Sequence, residues 1–88
     1  MLKIAEAVRS ELDVVLRLDG QVTDRWLDVL RKSCDGALNA GGRLTLDLGN
    51  VSFADADGIA LLRSLVDREV HLLNASPFLA QQLRRTAP

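Results

Sequence analysis

Asp55-Ala56-Asp57-Gly58 sets two carboxylates and a glycine between one apolar run and the next, Ile59-Ala60-Leu61-Leu62. That order describes a strand, a tight connection and a helix start. Asp55 suits the cap position, where a side-chain oxygen accepts from the orphan amides of the first turn. Asp57 falls inside that turn, where the helix dipole favours negative charge. Helix starts also hold phosphate, but these two resident carboxylates would repel it. The other groups with chemical potential stand alone. His71 has no Cys or His partner at metal-ligand spacing, and one imidazole does not make a metal site. Cys34 falls on an apolar stripe and reads as a small buried hydrophobe. Ser52, Ser64 and Ser76 have no base beside them in sequence and no G-x-S-x-G elbow. Gly41-Gly42 lacks the Lys-Ser/Thr of a phosphate loop. Asp47 reads as a polar residue at a strand end. Nothing assembles nucleophile, base and oxyanion donors, so the sequence points away from an enzyme, and no metal or cofactor is expected.

The elements that position Asp55 and Asp57 follow from periodicity and punctuation. Leu2 to Val8 alternates loosely and reads as a strand. Arg9-Ser10-Glu11 reads as a turn, and Val14-Val15-Leu16 with Leu18 as a second strand. So short a connection implies an antiparallel hairpin. Asp19-Gly20 is expected to end that strand. Thr23 is the expected N-cap of a helix, with Asp24 at its positive end. Trp26, Leu27, Leu30, Cys34, Ala37 and Leu38 recur on one helical stripe, and Gly41-Gly42 stops the helix. Arg43 to Leu48 is a third strand, with Leu44, Leu46 and Leu48 on one face. Gly49 to Ala54 reads as a loop with Val51 and Phe53 packed inward. The second helix buries Ile59, Leu62, Leu65 and Val66. Val70 to Asn74 is a fourth strand. Ser76-Pro77 opens a third helix, Ser at the cap and Pro at the first position, with Phe78, Leu79 and Leu83 as its main apolar contacts. Thr86-Ala87-Pro88 is expected to fray.

The order is β-β-α-β-α-β-α, an α/β fold. Strand-helix-strand connections of this length call for parallel pairing and right-handed crossovers. The expectation is one mixed sheet with helices packed on it, in a single domain over residues 1–88.

At 88 residues the chain suits one domain and not two, burying roughly 60–65% of its unfolded surface. Hydrophobic residues make up 48% and charged residues 26%, a globular profile. The aromatics are Trp26, Phe53 and Phe78 alone, so the core has to be aliphatic. Net charge is −1 and the 11 basic residues are scattered. The pairs Arg31-Lys32 and Arg84-Arg85 read as solvated helix faces, and with no basic stripe interleaved with aromatics nucleic-acid binding has little support. No apolar run approaches the roughly 20 residues of a bilayer span. Glu6, Arg9 and Glu11 interrupt any signal-peptide pattern. A single cysteine makes a reducing, cytoplasmic setting the simplest expectation.

The stretch Leu46 to Leu62, with its strand, Val51-Ser52-Phe53, Asp55 two positions on, then Gly58 and an aliphatic run, resembles the signature loop of STAS (anti-sigma-factor-antagonist) domains. Leu18-Asp19-Gly20-Gln21-Val22-Thr23 resembles the family's approach to its first helix. Asn74-Ala75-Ser76-Pro77-Phe78 resembles its "SP" helix start. Together these landmarks cover most of residues 12 to 85. The resemblance implies the STAS fold and a non-catalytic, protein-binding regulatory role. The best-known members bind an anti-sigma-factor kinase, and phosphorylation of a Ser or Thr in the signature loop breaks the complex. The residue just before the glycine, the phosphorylated serine in those antagonists, is Asp57 here, and the one before it is Ala56. Neither carries a hydroxyl. Asp57 either imitates a phosphorylated residue, in part, with one charge against about −1.5 to −2, or is an ordinary first-turn acid. The second reading is simpler, since acids are common at helix starts. Fuller members continue past the third helix, so a protein partner or a second copy forming a homodimer is an expected cover for the exposed sheet edge. Asp47 also resembles the phosphoacceptor of receiver domains, but the only lysines, Lys3 and Lys32, are not on a late strand.

The leading expectation is thus a docking module in signal transduction and transcription regulation. Its partner-binding residues are Asp55, Ala56, Asp57, Gly58, Ala60, Arg63 and Ser64, and its partner is an anti-sigma factor or kinase-like ATPase. The alternative implied by the resemblance is an accessory subunit of a phospholipid-trafficking ABC transporter, docking on its ATPase. Such subunits usually keep Thr or Ser where this chain has Ala56. Small-ligand or nucleotide binding rests only on family analogy and the anion-friendly helix start.

Overall fold

Leucine alternation builds the centre of the sheet. Leu44, Leu46 and Leu48 are all at most 1% exposed, and Val14, Leu16 and Leu18 run beside them. The computed structural model describes residues 1–84; the expectations at Arg85 and for Thr86-Ala87-Pro88 lie outside the described residues. The strands are β1 (Leu2–Arg9), β2 (Asp13–Val22), β3 (Arg43–Ala54) and β4 (His71–Leu73). The helices are α1 (Trp26–Asn39), α2 (Ala56–Asp67) and α3 (Pro77–Arg84). The element order is the expected β-β-α-β-α-β-α.

The sheet runs β1-β2-β3-β4. β1 and β2 form the expected antiparallel hairpin. β2 with β3 and β3 with β4 are parallel, joined through α1 and α2. Both crossovers step in the same direction along the sheet, so right-handed connections put both helices on the same face. Leu16, Leu46 and Leu72 stand in register across three strands on that face. Arg17, Asp47 and Leu73 stand in register on the other. The core lies between sheet and helices and is aliphatic, with Leu30, Cys34, Leu62, Leu65 and Leu79 completing it.

Several local expectations need correction. β2 does not end at Asp19-Gly20. It runs on to Val22 and carries β3 with it, pairing Gly20 with Val51 and Val22 with Ala54 through register shifts. Gly20 has φ +113°, and a β-carbon there would overlap the Met1 carbonyl oxygen, so glycine serves a bulge and not a turn. Residues 49–54, read as a loop, are therefore strand. Phe53, expected to pack inward, is 50% exposed. Thr23 is not the cap of α1. Asp24 takes φ +48°, the Thr23 carbonyl accepts from the Trp26 amide at 3.1 Å, and Arg25 holds the cap position without a side-chain bond. The stripe on α2 is rotated slightly: Gly58 and Leu61 are buried and Val66 is exposed. Phe78, expected as a main contact of α3, is exposed while Leu79 is buried. Ser76 caps α3 as expected, its hydroxyl accepting from the Leu79 amide at 3.1 Å.

Candidate functional site

Where β3 ends, the chain turns through one residue, Asp55, into α2. Asp55 is extended (φ −80°, ψ −179°), as a capping residue is. Its Oδ1 accepts from the Gly58 amide at 2.7 Å, and its Oδ2 accepts from the Asp24 amide at 3.4 Å. One carboxylate thus serves the start of α2 and the approach to α1. The Asp55 amide donates to the Val22 carbonyl at 3.3 Å, closing the same junction from the backbone side.

Gly58 is buried against that junction, and a β-carbon on it would overlap the Val22 carbonyl oxygen. Gly58, one of the expected contact residues, thus lies on the inner side of the turn. Its lack of a side chain brings the first turn of α2 onto the end of β2 and leaves nothing facing outward. At the other end of α2, the Arg68 guanidinium donates to Asp35 Oδ1 on α1 at 2.6 Å. α2 is therefore capped and packed against the Val22 junction at its start, with an exposed ion pair to α1 at its end.

Ala56, Asp57, Ala60 and Ser64 are exposed on the outer face of α2, and Asp55 and Arg63 are half-buried. Ser64 returns its hydroxyl to the Leu61 carbonyl at 2.7 Å. The sequence-derived residues fall on two flanks. Asp57, Ala60 and Ser64 line a groove of about 420 Å³ against α1 and the residues leading into it, which add Asp24, Leu27, Asp28 and Arg31. Arg31 pairs with Asp28 at 2.8 Å, leaving Asp24 and Asp57 as the other charges of that groove. Ala56 and Arg63 face the opposite groove, about 450 Å³, with Phe53, Ile59 and Phe78. The α1 residues and the two phenylalanines escaped sequence reasoning. Asp24 and Asp28, four residues apart in the sequence, were the available signal for the first; nothing local marked the second.

The lone chemical groups stay apart. Burial pushes the Cys34 thiol up to about 11, with Asp35 adding to the rise. Asp47 accepts from the Gly49 amide at 2.9 Å and from Asn74 Nδ2 at 3.1 Å, and these bonds hold its carboxyl below the usual aspartate range. His71 is exposed. Among the described residues no three metal-ligating side chains gather, and no helix is long and apolar enough to cross a membrane.

No protein-family model matches the sequence, and no curated protein matches it. Solved structures do match. The unphosphorylated form of the anti-sigma factor antagonist SpoIIAA superposes with a TM-score of 0.75 at 20% identity, covering 98% of this chain and 84% of that one. An antisigma-factor antagonist STAS domain from Rhodobacter sphaeroides superposes with a TM-score of 0.61 at 14% identity, covering 99% of this chain and 96% of that one. With β-β-α-β-α-β-α order, one mixed sheet and a capped helix after β3, the chain has the STAS, anti-sigma-factor-antagonist fold.

Proposed function

We propose that this domain is a non-catalytic regulatory module that docks a protein partner through residues 51–64, in the manner of an anti-sigma factor antagonist. The observation that carries the reading is the outer face of α2. Small and polar residues, Ala56, Asp57, Ala60 and Ser64, are presented to solvent on a helix whose start is capped by Asp55 and packed on Val22. Small side chains let a partner's backbone approach closely, and a fixed face loses little entropy on binding. The partner of this reading is an anti-sigma factor or kinase-like ATPase in the cytoplasm. Asp57 and Ala56 occupy the positions of the phosphorylatable residues, so binding would not be governed by a hydroxyl there.

The test is capture of purified ATPases by the immobilised chain. Retention of a histidine-kinase-like ATPase supports the reading; retention of an ABC ATPase alone transfers the domain to transport. Ala60→Glu is expected to abolish capture while thermal melting stays within about 0.5 kcal/mol of the parent, as for surface changes generally. Capture by a folded Ala60→Glu chain would move the docking face elsewhere. Asp57→Ser separates the two roles of that carboxylate. Unchanged affinity makes it a helix-start acid, and altered affinity makes it a stand-in for phosphate.

A further inference from the structure

Phe53 and Phe78 are 50% and 63% exposed, and they are the chain's only phenylalanines. They come from different elements, the end of β3 and the first turn of α3, yet they rim the same groove, with Ile59 and Ala56 between them. A scattered exposed apolar side chain is ordinary. Two aromatic rings gathered on one concavity mark an interaction surface.

The charge of this groove is defined by Arg63 and Asp55. The Asp55 oxygens are engaged by the Gly58 and Asp24 amides. Arg63, like Arg17, Arg25 and Arg84, has no ion-pair partner among the described residues, and of these four it alone lines this groove. The group left to meet a ligand is thus a guanidinium set among apolar side chains. A carboxylate is its natural counterpart, because the two planar groups form paired, charge-assisted hydrogen bonds. The half-burial of Arg63 strengthens such a pair relative to open water.

We propose that the groove between Phe53 and Phe78 docks an apolar, acidic segment of a protein partner, its carboxylate paired with Arg63. The proposal rests on the reading of the domain as a docking module and adds a second contact, on the flank of α2 away from α1. Arginine and aromatic side chains dominate interface energetics, so few residues suffice to test it.

The experiment is selection of a random peptide phage library on the full chain, followed by binding measurements on the enriched peptides. Phe53→Ser, Phe78→Ser and Arg63→Glu serve as variants, each checked for parental melting by circular dichroism. The expected result is enrichment of peptides combining Leu, Ile or Phe with Asp or Glu. Their affinity should fall at least about tenfold in each variant, a loss of about 1.4 kcal/mol, and Asp47→Asn, outside both grooves, should leave it unchanged. Enrichment of basic peptides lost in Asp57→Lys but kept in Arg63→Glu overturns the groove proposal and leaves the docking module standing. No enrichment on any face overturns the groove proposal and leaves the docking module to the ATPase capture. Concentration-dependent dimerisation lost in Phe53→Ser also overturns it, making a second copy the occupant.

Discussion

On one side of α2 the neighbours come from α1 and bring carboxylates; on the other they come from β3 and α3 and bring phenylalanines. The same twelve-residue helix supplies Asp57, Ala60 and Ser64 to the first flank and Ala56, Ile59 and Arg63 to the second. The division follows from helical geometry, since residues three and four apart share a face while adjacent ones do not. What differs is the contribution of the surroundings. Asp24, Asp28 and Asp57 make the first flank acidic, relieved by the Arg31 pair. The second is apolar with an uncommitted cation. Complementary charge selects among partners and sets encounter rates more than it adds affinity. Two unlike flanks therefore allow one helix to discriminate on two criteria at once.

That contrast depends on the rotation of α2 about its axis, which the junction at Val22 sets. Gly58→Val should disturb it most. The added side chain has to displace either the Val22 backbone or the helix, a loss of about 1–3 kcal/mol as for other overpacked sites, read by chemical denaturation. Parental stability in this variant would show that α2 is free to slide and that the flanks are not fixed. Asp55→Ala comes next. Losing a helix N-cap costs about 0.5–2 kcal/mol, and here the Asp24 amide loses its acceptor as well, so amide exchange should accelerate at Asp24 and Gly58 together. Faster exchange at Gly58 alone would separate the α1 approach from the α2 start.

The smallest effect lies away from both flanks and serves as their control. Asp47 has its carboxyl held below the ordinary value of 3.8 by bonds from Gly49 and Asn74. A depressed folded-state value means a contribution complete above the unfolded value and lost as pH falls through the folded one. Stability should therefore decline below about pH 3.8, and Asp47→Asn should flatten that decline without moving peptide or partner binding at neutral pH. An unchanged acid limb would exclude Asp47 from it.

Signals contained within a few residues were legible. Ser76-Pro77 fixes the start of α3 and Asp55 that of α2, because a cap needs only its own first turn. The alternating leucines of β3 and the apolar stripe of α1 stand for the same reason. Long-range pairing was not legible. Gly49-Asn50 has turn chemistry, yet β2 continues past Gly20 and offers β3 a ladder, which overrides local preference. The α1 start was missed because Asp24 adopts a positive φ and answers to Asp55, 31 residues away. Phe53 and Phe78 were placed inside on hydrophobicity, which describes a tendency and not a position. Of the candidate site, its residues on α2 were readable, but the walls of its grooves come from elements that only folding brings alongside.

The single thiol has a consequence of its own. Cys34 is fully shielded beneath the sheet face, and its raised value of about 11 leaves almost no thiolate at neutral pH. A maleimide or disulfide reagent in solution thus meets nothing to attack until α1 lifts away. The chain carries a built-in clock for its own opening: the pace of alkylation reports how often the core comes apart, with no substitution needed to install a thiol.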